Sequence, residues 1–139
     1  MDPSKQTESL LLTVWVIALI ALVGSLFYSE IIGYEPCKLC WVQRIFMYPL
    51  VVIYGYALVK RNLEIALPGM LLSGIGMLVS TYHYLLQKVP ALQEVGDFCE
   101  GVPCNVQYVN YLGFITIPFL AGIAFISIFI IHVYMIRRK

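Results

Sequence analysis

The chain has 139 residues, 60% of them hydrophobic and 12% charged, with a formal net charge of +1. Soluble domains carry about 25% charged residues, and a domain this short has too little interior to hide so much apolar surface. Composition therefore excludes an ordinary soluble domain, makes the lipid bilayer the expected solvent, and offers no basic patch to suggest nucleic acid.

A helix that crosses a bilayer needs about 20 mostly apolar residues. Four stretches qualify: about 10–28, 41–59, 63–86 and 112–136. They leave room for one domain, 1–139, and the expected fold class is an all-α integral membrane protein, an antiparallel four-transmembrane-helix bundle. The first apolar run is longer than a signal-peptide core and no A-x-A-like site follows it, so it reads as a retained helix. Lys5, Lys60, Arg61, Arg137, Arg138 and Lys139 fall at one set of span ends. The positive-inside rule then places both termini in the cytoplasm and the loops 29–40 and 87–111 on the outer face of a cell membrane.

Within the spans, Gly69, Ser73, Gly76, Ser80, His83 and Gln87 recur in steps of four and three, one face of a helix. Small residues let membrane helices approach closely, so this face is expected to point into the bundle. Pro49 and Pro118 are expected to bend spans two and four. Trp41, Tyr82, Tyr84, Tyr108 and Tyr111 read as an interfacial aromatic belt. The second outer loop is long enough to suggest function, and 89–95 reads as a short amphipathic helix. His132 reads as a polar residue close to the headgroups.

All four cysteines fall in the two outer loops, where disulfides persist. In the stretch EPCKLCWVQR, Cys37 and Cys40 form a C-x-x-C at the expected start of a helix, with Lys38 between them. Unpaired amides and the helix dipole stabilise a thiolate there. Small exposed bridges of this kind are labile or catalytic more often than structural. Cys99 and Cys104 lie in CEGVPC, where Gly101 and Pro103 allow a turn, but Glu94, Asp97 and Glu100 do not favour a thiolate. Two structural disulfides, or one zinc site using all four thiols, are the competing readings; a thiol–disulfide relay fits the spacing and the compartment better.

Arg44 follows Cys40 by one helical turn on the same face, at the edge of the hydrocarbon. An intramembrane charge is costly and marks function unless it snorkels to the headgroups. Electrons collected by the cysteines need an acceptor at this depth, and a quinone dissolved in the bilayer would meet them. A guanidinium would stabilise developing negative charge on its oxygen. Gln43 would add a hydrogen bond, and His83 is a candidate proton source or a buried residue satisfied by a neighbour.

The motif PCKLCWVQR, 36–44, resembles the C-x-x-C followed four residues later by arginine of the DsbB-like disulfide-bond formation proteins of bacterial membranes. VPCNVQYVNYLGFITIPFLAG, 102–122, resembles their second-loop cysteine and last helix, and the four spans and both cysteine pairs correspond. The short Gram-positive BdbC branch is the most similar. The resemblance implies reoxidation of an extracytoplasmic thioredoxin-fold thiol oxidase, DsbA-like or BdbD-like, with electrons passed to menaquinone or ubiquinone. It implies catalytic roles for Cys37, Cys40, Cys99 and Cys104, with Cys99 taking the mixed disulfide, Cys104 its companion, Cys37 exchanging with that pair, and Cys40 facing the quinone beside Arg44. Better-known members space the second pair more widely, so which of Cys99 and Cys104 the partner attacks stays open. In the chemically related vitamin K epoxide reductases the loop cysteines precede the C-x-x-C; here they follow it.

Overall fold

The computed structural model describes residues 3–33, 38–89, 91 and 117–138. Cys37, Cys99, Cys104, Tyr108 and Tyr111 lie outside the described residues, as does the helix expected over 89–95 apart from 89 and 91.

Four helices among the described residues are long and apolar enough to cross a membrane. They are α1 (Pro3–Leu26), α2 (Lys38–Lys60), α3 (Leu67–Lys88) and α4 (Ile117–Arg138). A π-helical turn, Phe27–Ile31, extends α1 to about one turn beyond the apolar run. Between α2 and α3 the chain reverses in a few residues. Arg61 takes a positive φ of 55°, and Asn62 Oδ1 accepts from the Glu64 amide at 2.9 Å to start a 3-10 turn, Leu63–Ala66. Such short links make neighbouring helices antiparallel. Each helix packs on its sequence neighbours, and α4 closes the ring on α1 more sparingly than on α3.

Lipid tails are as apolar as leucine, so close packing and hydrogen bonds hold such a bundle together rather than burial alone. The small-residue stripe supplies the packing. Ser73 and Ser80 are fully buried and His83 nearly so. A Cβ at Gly69 would lie 2.7 Å from the Tyr54 ring, and one at Gly76 would run into Phe125. Tyr54 of α2 and Phe125 of α4 are the largest fully buried side chains among the described residues, and both pack against glycines of α3. Ile20, Val52 and Leu78 face outward, where lipid takes the place of water.

α2 runs as helix through Pro49, where proline denies the Ile45 carbonyl its usual donor. Pro118 is the second residue of the described α4 and is fully buried. His132 is fully buried, and its Nδ1 lies 2.7 Å from the Tyr54 hydroxyl. It shares the inward stripe of α4 with Phe125, Ile128 and Met135, a spacing that outweighs its polarity.

Candidate functional site

Cys40 is the third described residue of α2 and is half-buried. Successive turns of α2 then bring Gln43 and Arg44, Met47 and Tyr48 to the face that Cys40 begins.

These five residues form one wall of a cavity of about 470 Å³. α1 supplies the opposite wall with Ala21, Gly24 and Ser25, and α4 a third with Ala121, Ala124 and Phe125. The volume lies in the range of small-molecule sites, about 300–1,000 Å³. Cys40, Gln43, Arg44, Ser25 and Ser29 line it at the end where α2 begins, and the remainder is lined mostly by apolar side chains, with Tyr48 and Ser127 among them. Gly24 has open space where a side chain would be.

Arg44 is held on two sides. Its Nη2 donates to the Ser25 carbonyl of α1 at 3.0 Å, and its guanidinium sits 5.1 Å from the centroid of the Trp41 ring. The π-helical turn follows directly after Ser25 and Leu26, and Ser29 also donates to the Ser25 carbonyl, at 3.2 Å. The fork has five N–H donors and no acceptor, and the Ser25 bond uses one of them. A fixed cation with donors to spare beside a helix-end thiol is suited to an incoming oxygen that gains negative charge.

Gln43 is buried, and its Nε2 lies 2.8 Å from His83 Nδ1. His83 is itself 1% exposed. It does not line the cavity; Gln43 stands between. The structure therefore brings Cys40, Gln43 and Arg44 to one wall and sets His83 behind them, while Cys37, Cys99 and Cys104 lie outside the described residues.

Sequence reasoning passed over Ser25, Ser29 and Tyr48. Ser25 and Ser29 are one turn apart at the end of an otherwise apolar span, at the depth of Arg44. Tyr48 is one turn beyond Arg44 on the same face, with its hydroxyl 3.4 Å from Ser25 Oγ. The signal was present as polar atoms in apolar spans; which helix faced which was not.

The family model described as disulfide bond formation protein DsbB matches residues 7–135. The probable disulfide formation protein of Oceanobacillus iheyensis is 61% identical over 98% of this chain and 94% of its own length. The probable disulfide formation protein C of Halalkalibacterium halodurans is 52% identical over 98% and 99%. The disulfide bond formation protein C of Bacillus subtilis is 52% identical over 84% of each chain. No solved structure matches the chain. With its four apolar helices, a helix-end cysteine and similarity along almost its whole length, the chain belongs to the DsbB disulfide bond formation family, as a multi-pass membrane disulfide oxidoreductase.

Proposed function

We propose that the protein reoxidises a thioredoxin-fold thiol oxidase outside the cell membrane and passes the electrons to a membrane quinone, with both termini in the cytoplasm. What carries the reading is the cavity: an apolar slot between α1, α2 and α4 with Cys40, Gln43 and Arg44 at its polar end. Its size and lining suit a quinone ring with a prenyl tail. The placing of Lys5, Lys60, Arg61 and the C-terminal cluster supports the orientation.

In this reading the partner's dithiol reduces the Cys99–Cys104 disulfide and becomes a disulfide itself. The dithiol so formed reduces the Cys37–Cys40 disulfide. Cys37 and Cys40 then release two electrons and two protons as their bond re-forms. A bound quinone supplies the two-electron, two-proton acceptor. Arg44 would hold such an acceptor and stabilise negative charge developing on its oxygen. Gln43 offers a further hydrogen bond, and the apolar walls keep water from the cysteine.

The test mixes the purified protein in detergent with a reduced thioredoxin-fold oxidase and a short-chain quinone, and follows quinone absorbance. Catalytic loss of quinone that requires both proteins is the expected result. No turnover with naphthoquinones or benzoquinones overturns the quinone assignment.

A further inference from the structure

A second cavity, of about 520 Å³, lies at the opposite end of the bundle from Cys40. The N-terminal turns of α1, the link from α2 to α3 and the last turn of α4 enclose it. Its charged residues are Arg61, Arg138 and Glu8, so two guanidiniums and one carboxylate leave a single positive charge. Gln6 and Asn62 add amides beside them. Leu10, Leu11 and Met135 line it one turn further into the spans. The lining thus passes from charged to apolar in the direction in which a membrane passes from headgroup to hydrocarbon.

Arg61 stands where its backbone does not favour it. The amides of Arg61 and Asn62 close the end of α2 by donating to the Leu58 and Ala57 carbonyls, at 3.3 and 3.1 Å. The left-handed residue of such a closure is usually glycine, sometimes asparagine; here arginine takes it, at a φ of 55°. Its Nε pairs with Glu8 Oε1 at 2.9 Å, but Arg61 is 77% exposed, and pairs at such sites stabilise a fold little. The pair leaves the Nη edge of the fork to donate. Arg138 is steadied by its own helix: Nη1 donates to the Tyr134 hydroxyl at 3.0 Å, and the guanidinium lies 5.5 Å from that ring's centroid.

We propose that this cavity binds the phosphodiester headgroup of an anionic phospholipid. Arg61 and Arg138 hold the phosphate, and the glycerol end lies against Leu10, Leu11 and Met135. A phosphodiester monoanion balances the charge of the cavity, and guanidinium forks match phosphate oxygens. A soluble phosphate ester offers the same charge without acyl chains, and the apolar depth of the cavity favours the lipid. Seated there, the headgroup joins α1 to α4, which pack on each other more sparingly than α3 and α4 do.

The test follows thermal unfolding, and lipid retention by native mass spectrometry, of the full-length protein in a maltoside detergent. The probes are dioleoylphosphatidylglycerol, dioleoylphosphatidylcholine and glycerol phosphate. Phosphatidylglycerol alone should be retained and should raise the unfolding temperature. Equal effects of the two lipids overturn recognition of the charge, and an equal effect of glycerol phosphate overturns the lipid assignment. Arg61→Gly suits the left-handed backbone and keeps the fold. It should weaken phosphatidylglycerol about fivefold, the worth of one basic residue near an anionic membrane surface, and Arg138→Gln should do the same. Glu8→Gln should tighten binding, because it removes the opposing carboxylate and releases Arg61 Nε. Unchanged retention in either arginine variant, or binding by Glu8→Gln no tighter than by the unaltered protein, overturns the proposal. None of these readouts depends on quinone.

Discussion

The bundle contains two buried histidines, each joined through Nδ1 to a side chain of α2. His83 meets Gln43 at 2.8 Å, and His132 meets Tyr54 at 2.7 Å. The pairs differ in what lies beyond them. Gln43 is part of the cavity wall beside Cys40 and Arg44, whereas Tyr54 is fully enclosed and pressed against Gly69. The rings of Tyr54 and His132 also meet edge to face, 5.8 Å apart. His132 Nε2 finds no partner among the described residues. The same kind of bond thus has different surroundings: one backs a cavity wall, and the other joins α2 to α4 within the packed bundle. A buried polar pair in a membrane helix is by itself no sign of catalysis; its neighbour decides.

Substitutions should separate the two regions. Cys40→Ser should abolish quinone reduction while thermal unfolding in detergent stays as in the unaltered protein; near-normal turnover would remove the helix-end cysteine from the chemistry. Arg44→Ala should lower kcat/KM for quinone by about ten- to a hundredfold, the worth of a charge-assisted hydrogen bond, chiefly through KM. Unchanged kinetics over a range of quinone concentrations would demote Arg44 to an anchor between α2 and α1. Tyr54→Phe should behave the opposite way. It removes a buried partner of His132, costs about 1–3 kcal/mol of stability, lowers the unfolding temperature, and leaves KM for quinone as it was. A changed KM with unchanged unfolding would erase the distinction between the pairs.

Particular residues show how far the primary structure could be read. The inward face of α3 was legible because glycine and serine at helical spacing have few other uses in a bilayer, and it is buried as expected. The link of Arg44 to Cys40 was legible because both lie on one helix, one turn apart. The burial of His132 was not legible because position along a span gives depth but not rotation about the axis. Phe125, Ile128 and Met135 set that rotation, and they carried the histidine inward with them. Ser25 was missed for a related reason: only packing shows that the end of α1 faces Arg44.

The sequence by itself thus determined the solvent, the four spans and the register of Cys40, Gln43 and Arg44, since these depend on length, hydropathy and the period of one helix. Tertiary structure alone decided that α1 and α4 complete a cavity around those residues, that His83 stands behind Gln43, and that His132 is bonded to Tyr54. The reason is physical. Periodicity constrains a helix against itself, whereas a cavity or a buried bond between helices depends on how their small and large side chains interlock.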